Sequence, residues 1–280
     1  MKRLSVFFLS NGVLVLLLSH GICALQPYFN VLSFDLFVWF CASLYLGAAF
    51  VAFAISKHKA QQLLAAKPLK IPSNTAESWL LATVAKQAKL AGIRGPAVAI
   101  YDSVDINAFA SGLSKHHALI AVSSGLLWRL PTYEAEAVLA HEISHIANAD
   151  MTRLIMMQGL ANVLVVVFAY LLANQFVMPH FQEWVTVAVF IAVIAMGLML
   201  AALAVMWFLR RIEFLADLSG VRLAGGEAMI AALEFLNGVP SPEQPQAALG
   251  VAGSIELGVK RLFMSHPLLS ERILALKLRH

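Results

Sequence analysis

Charge is scarce in this chain. Of its 280 residues only 13% are charged and 60% are hydrophobic, against roughly 25% charged and 45–50% apolar in an ordinary soluble domain. That balance excludes a wholly soluble protein and points to a membrane protein. Cysteine is nearly absent: Cys23 and Cys41 both fall in apolar runs, so no disulfide framework is implied and both read as small hydrophobes. The net charge of +4 is too small in such a chain to suggest a nucleic-acid partner. There is no internal repeat and no low-complexity segment beyond the apolar runs.

The charges are absent in blocks, and the blocks set an expected topology. Leu4–Leu25, Leu36–Ile55, Leu154–Met178 and Val185–Phe208 are each long enough to cross a hydrocarbon core of about 30 Å as a helix. The short connections 26–35 and 179–184 contain no lysine or arginine, whereas all 20 basic residues lie at the amino end, between spans two and three, or from Arg153 and Arg210 onward. Positive charge marks the cytoplasmic side. The expected organisation is therefore two transmembrane helices in 1–56, a first cytoplasmic part in 57–153, two more helices in 154–209 and a second cytoplasmic part in 210–280. The two cytoplasmic parts together are long enough for one domain with its own core.

Within that domain the pattern predicts a helix over Asn74–Ala91, broken by Gly92-Ile93-Arg94-Gly95-Pro96, and short strands at Ala97–Tyr101, Asn107–Ala110 and Ala118–Val122. Loops are expected at Gly225-Gly226 and Gly238–Pro245. The fold class is α+β, with four transmembrane helices and a mainly helical cytoplasmic domain carrying a small sheet.

The organising stretch is Thr132–Asp150. Thr132 reads as an N-cap, Glu134 and Glu136 place negative charge in the first turn, and alanines and a leucine follow. Inside it His141-Glu142-Ile143-Ser144-His145 is an H-E-x-x-H sequence. On a helix, residues four apart share a face, so two imidazoles can reach one ion while Glu142 stands beside it as a general base. Two surface histidines on an ordinary helix are the bland alternative.

A hydrolytic zinc keeps three protein ligands and a water. The longer metzincin form continues with a glycine and a third histidine, where this chain has Asn148 and Met151. The third ligand must come from elsewhere, and Arg210-Arg211-Ile212-Glu213-Phe214-Leu215-Ala216-Asp217 offers one. Glu213 and Asp217 stand on one helical face, Glu213 to ligate the ion and Asp217 to accept the ring N–H of a ligand histidine. A solvated pair with Arg210 or Arg211 remains the alternative. Ala108 and Ala110 are small and alternate with Asn107 and Phe109, so this strand suits a sheet edge on which an extended peptide lies. An ordinary buried strand would read the same way.

HEISHIAN, the EFLAD run and Asn107-Ala108-Phe109-Ala110-Ser111-Gly112 together resemble the HtpX family of bacterial inner-membrane zinc endopeptidases, and more distantly the CAAX prenyl proteases. The resemblance runs from Lys2 to the carboxyl end, where Ser265-His266-Pro267-Leu268-Leu269-Ser270-Glu271-Arg272 is similar to the family's H-P…R element. It implies a gluzincin fold, one zinc per chain on His141, His145 and Glu213, catalysis by Glu142, oxyanion donors in His266 and Arg272, and substrate contact at Asn107. Taken alone, His266 reads as a loop residue and Arg272 as a helix-surface charge. The implied activity is endoproteolysis of membrane or misfolded proteins at the cytoplasmic face of the inner membrane, as in membrane-protein quality control and the stress response. Two other readings stand beside it. A prenyl-protein protease is built with more spans and a large intramembrane chamber, and a membrane zinc-binding or transport protein needs ligands within spans three and four, which carry neither acid nor histidine.

His20, His58, His116, His117, His180 and His280 lack a partner at metal spacing and read as structural. Asn11, Gln158 and Asn162 suit hydrogen bonds between spans, or a polar cavity lining.

Overall fold

The computed structural model describes residues 66–112, 115–172, 180, 182–238 and 267–279. The first two expected spans, Asn11, His20, His58, His266, His280 and the loop following Gly238 lie outside them. The described residues fall into two compact units, one between 156 and 205, the other from 66 to 155 and from 206 to 279.

The second unit opens with a short strand β1, Lys67–Pro68, and then helix α1, Thr75–Leu90. Asn74 caps α1 by accepting the Glu77 amide at 2.8 Å, and Glu77 returns the contact to Ser73. This is reciprocal capping of free amide groups. Strands β2, Ala97–Tyr101, β3, Ala108–Ser111, and β4, Leu119–Ser123, complete a sheet of order β1-β2-β4-β3. β2 runs parallel to β4, and β3 antiparallel to it. Among the described residues β3 is therefore a sheet edge.

Two strands sit one residue later than their periodicity suggests. Asn107 precedes β3 because its amide is taken by the Ser123 hydroxyl, at 3.0 Å, while its carbonyl accepts from the Ser123 amide. Ser123 joins β4 and also caps helix α2, Ser124–Arg129, through Leu126. Helix α3 spans Thr132–Ala147, and Thr132 is its first residue rather than its cap: Pro131 holds that position, with no side-chain bond. Proline supplies an extended backbone there and has no N–H to satisfy.

Ala135, Leu139, Ile143 and Ile146 repeat at helical spacing along α3 and pack with Leu80 and Val84 of α1 and Val98, Ile120 and Val122 of the sheet. Ala137 faces helix α6, Gly226–Gly238, and helix α7, Leu269–Lys277, in a second cluster with Met229, Leu233 and Leu276. α3 is thus held on two sides, which fixes the direction of its histidines.

Helix α4 runs Asp150–Leu171, beginning before the expected start of span three. Helix α5 runs unbroken from Glu183 to Ala224, 42 residues. At 1.5 Å per residue it is roughly 60 Å long, about twice a hydrocarbon core. Among the described residues two stretches, Asp150–Ala169 and Trp184–Ala224, are long and apolar enough to cross a membrane. The expected loop at Gly225-Gly226 is one residue, Gly225, whose φ of 96° needs a glycine. Gly226 already begins α6. In the unit between 156 and 205, the face of Gly197 meets Val165: a side-chain carbon added there would lie 2.6 Å from its Cγ1.

Candidate metal centre

The site lies entirely in the unit that holds α3. His141 and His145 stand one turn apart on α3 with their Nε2 atoms 3.0 Å from each other. Glu213, from α5, faces both: its Oε2 is 3.5 Å from His141 Nε2 and its Oε1 is 3.9 Å from His145 Nε2. These three residues form a group able to hold a metal ion. Both histidines turn the other ring nitrogen to a carboxylate: His141 Nδ1 meets Asp217 Oδ1 at 2.9 Å, and His145 Nδ1 meets Asp150 Oδ2 at 2.8 Å.

α5 reaches α3 this closely because Gly220 sits one turn past Asp217. A carbon added at Gly220 would lie 3.3 Å from the amide nitrogen of His141 and 2.4 Å from the end of Met229. Ala140 and Ser144 keep the facing side of α3 small, and Ser144 folds its hydroxyl onto the Ala140 carbonyl. Any bulk along this line would separate the carboxylates from the imidazoles.

Arg272, on α7, is buried against the other side of the acids. Its guanidinium donates through Nε and Nη2 to the two oxygens of Asp217, and Nη1 lies 3.2 Å from Glu213 Oε2. Burial works against the charge of Arg272, but the bonds to Asp217 raise its pKa above the ordinary value. The expected alternative, a solvated acid pair, does not describe residues as buried as Glu213 and Asp217, 6% and 1% exposed. Asp217 is paired with Arg272 across 55 residues of sequence.

Glu142 leaves the histidine face and meets the sheet. Its Oε2 accepts the backbone N–H of Ala110 at 2.7 Å. In an antiparallel pair, alternate residues turn their backbone groups toward and away from the neighbour. Asn107 bonds toward Ser123, so Ala108 and Ala110 point theirs to the open edge. Phe109 packs on the opposite face, with its ring 5.9 Å from that of Tyr101. Glu142, the open edge of β3 and the three candidate ligands thus share one place.

Asp150 was not among the residues singled out by spacing. Its signal in the sequence is an acid just after the helix that carries HExxH, following Asn148 and Ala149. The remaining described histidines, His116, His117 and His180, do not join the metal-binding group.

Comparison with known proteins decides the family. A model of peptidase family M48 matches residues 74–280. The chain belongs to peptidase family M48. This M48 chain is 41% identical over 294 residues to protease HtpX of Thioalkalivibrio sulfidiphilus, covering 99% of each. It is 40% identical over 297 residues to protease HtpX of Aeromonas salmonicida, covering 99% of this chain and 100% of that one. Among solved structures, S. mikatae Ste24p superposes with a TM-score of 0.64 at 19% identity, covering 98% of this chain. The chain spans 64% of that structure's length, and the likeness is one of fold. With its His-His-Glu group and two long apolar helices, the M48 chain is a membrane-associated metalloprotease, a metalloendopeptidase whose substrates are proteins.

Proposed function

We propose that the chain is a four-span integral-membrane zinc endopeptidase that cleaves membrane or misfolded proteins at the cytoplasmic face of a bacterial inner membrane. Its protease domain is built from 57–153 and 210–280, with helix pairs in 1–56 and 154–209. The basic residues and their absence from the connections 26–35 and 179–184 support that orientation. One observation carries the chemistry: Glu142, an open sheet edge and three convergent donors meet in a single site.

The donors suit zinc. Two imidazole nitrogens and a carboxylate oxygen are a common hydrolytic set, and tetrahedral bonds of about 2.0–2.1 Å put donors roughly 3.3 Å apart. The two Nε2 atoms lie 3.0 Å apart, Glu213 offers one oxygen 3.5 Å from His141 and the other 3.9 Å from His145, and one donor from each residue lies within 4.8 Å of the others. Bound there, zinc supplies a Lewis acid and a water of lowered pKa.

The side chains do the rest. Glu142 removes a proton from the attacking water and returns it to the leaving amine. The outward N–H and C=O of Ala108 and the outward C=O of Ala110 hold the substrate backbone extended along β3, with Asn107 and Phe109 flanking it, while the Ala110 N–H keeps Glu142 in place. Asp217 keeps His141 in the tautomer that presents Nε2, and Arg272 and His266 donate toward the developing oxyanion. The test is cleavage of a detergent-solubilised membrane substrate by the wild type and by Glu142→Gln, with zinc measured in both. The variant should hold zinc and lose cleavage; a variant that cleaves at the wild-type rate would overturn the assignment of the base.

A further inference from the structure

Each histidine of the HExxH pair has a carboxylate behind it, and the second of these comes from a place no motif marks. We infer that Asp150 is the positioning carboxylate of His145, the counterpart of Asp217 on His141. The inference rests on reading His145 as a metal ligand.

The local chain is built to bring Asp150 back onto the ring. Helix α3 ends at Ala147, and Asn148 closes it by donating its amide to the Ser144 carbonyl. Ala149 then adopts a φ of 55°, a left-handed backbone that a side-chain-bearing residue adopts only under constraint. Its amide bonds to the Ile146 carbonyl at 3.1 Å. This turn sets Asp150 as the first residue of α4, with its carboxylate directed to His145 instead of to solvent.

An acid at a helix start has an ordinary explanation, since the helix N-terminus favours negative charge. That explanation asks for neither burial nor a partner, and Asp150 has both. It is 3% exposed, and its Oδ2 lies 2.8 Å from His145 Nδ1. The nearest cation is no substitute: Arg153 Nη1 is 3.8 Å from Oδ1, beyond hydrogen-bond reach, on a side chain that is 57% exposed. Asp150 Oδ1 has no hydrogen-bond partner among the described residues. The interaction of this carboxylate is therefore with the imidazole. A neutral imidazole has one N–H, and a carboxylate at Nδ1 keeps it there. The lone pair of Nε2 is then left facing His141 and Glu213, the direction in which a metal would be held.

The experiment uses the purified full chain in detergent, with zinc affinity read by competition against a chromophoric chelator. Cobalt loading gives a second reading through its visible d–d absorption. Asp150→Ala should lower zinc affinity about 10–100-fold and alter the cobalt band, whereas Asp150→Asn, which keeps an acceptor oxygen, should stay within about tenfold and leave the band shape unchanged. An Asp150→Ala protein within about twofold of wild type, with the same band, would show that Asp150 only starts a helix. If Asp150→Ala does not fold, Asp150→Asn decides alone, and a loss as large as that of His145→Ala overturns the positioning role. His145→Ala separates this inference from the one it rests on. If that variant keeps wild-type zinc affinity, the ligand assignment fails; if it loses zinc while Asp150→Ala does not, only the role of Asp150 fails.

Discussion

Gly220 faces the backbone of His141, and that contact lies between the two helices that carry the candidate ligands. A carbon placed on Gly220 would stand 3.3 Å from the His141 amide nitrogen, tighter than ordinary contact, and would also displace the end of Met229. Met229 can move, but the backbone of α3 is held by α1, α6 and the sheet. Gly220→Val is therefore expected to push α5 outward, drawing Glu213 and Asp217 away from the imidazoles. Zinc affinity should fall by about tenfold or more, although no ligand is altered. Gly220→Ala should lie between that variant and wild type. Wild-type affinity in Gly220→Val would mean that the helices do not need this contact.

Arg272 offers a test of what holds the acids in place. Breaking a buried ion pair by removing one partner costs about 3–5 kcal/mol, because the other charge stays buried without compensation. Arg272→Ala should lower stability by an amount in that range and weaken metal binding, since Asp217 would keep only His141. Arg272→Lys keeps the charge but not the two-pronged contact with Asp217, and should recover only part of the loss. Chemical denaturation of the metal-free protein reads the first effect, and zinc competition the second. Full stability in Arg272→Ala with lost turnover would instead leave oxyanion contact as its sole role.

The open edge of β3 can be probed with proline, because edge positions whose N–H points away from the sheet tolerate it. Ala110→Pro removes the N–H that holds Glu142 and leaves the pairing with β4 intact. It should lower kcat by about tenfold or more with zinc content unchanged, since a displaced base forfeits part of its contribution. Ala108→Pro removes an outward N–H that Glu142 does not use. Its effect should fall on KM, as expected if substrate pairs with the edge. Unchanged kinetics in both would reject strand addition.

The legibility of this site follows the range of its contacts. His141, Glu142 and His145 are placed by the pitch of one helix, and so are Glu213 and Asp217, so spacing alone puts each set on one face. Three of the four strands are readable to within a residue, whereas the two-residue β1 is too short to carry a periodicity; the shift at Asn107 comes from the Ser123 hydroxyl, a side chain that hydrophobic periodicity does not weigh. Arg272 is different. Nothing near it in sequence marks it as the partner of Asp217, and only the packing of α7 on α6 brings them together. Asp150 is close in sequence to His145 yet no motif spacing marks it, because its approach depends on the left-handed turn at Ala149, which composition does not announce. The length of α5 was hidden for a related reason. Arg210 and Arg211 end an apolar run but do not end a helix.

The metal-free site should bind its ion with release of a proton. Burial and the charge of Arg272 both push the His141 imidazole toward its neutral form, but hydrogen bonds to Asp217 and Glu213 outweigh them and raise its pKa to about 9. Below that pH His141 carries a proton that a ligating nitrogen cannot keep. Zinc binding near pH 7 should therefore release about one proton from this residue, and affinity should rise up to about tenfold per pH unit until the pH passes about 9. The same shift acts on the apo fold with the opposite dependence. Because the folded pKa lies above the ordinary 6.5, its stabilisation is fully present below 6.5 and is lost as the pH rises through about 9. Calorimetric zinc titrations at one pH, in buffers of different ionisation enthalpy, count the protons directly. A count near one for wild type and a smaller one for Asp217→Asn is expected, since that substitution removes the charge that holds the proton on His141. A count of zero in the wild type would mean that the imidazole is already neutral before the ion arrives, and that Asp217 orients His141 without charging it.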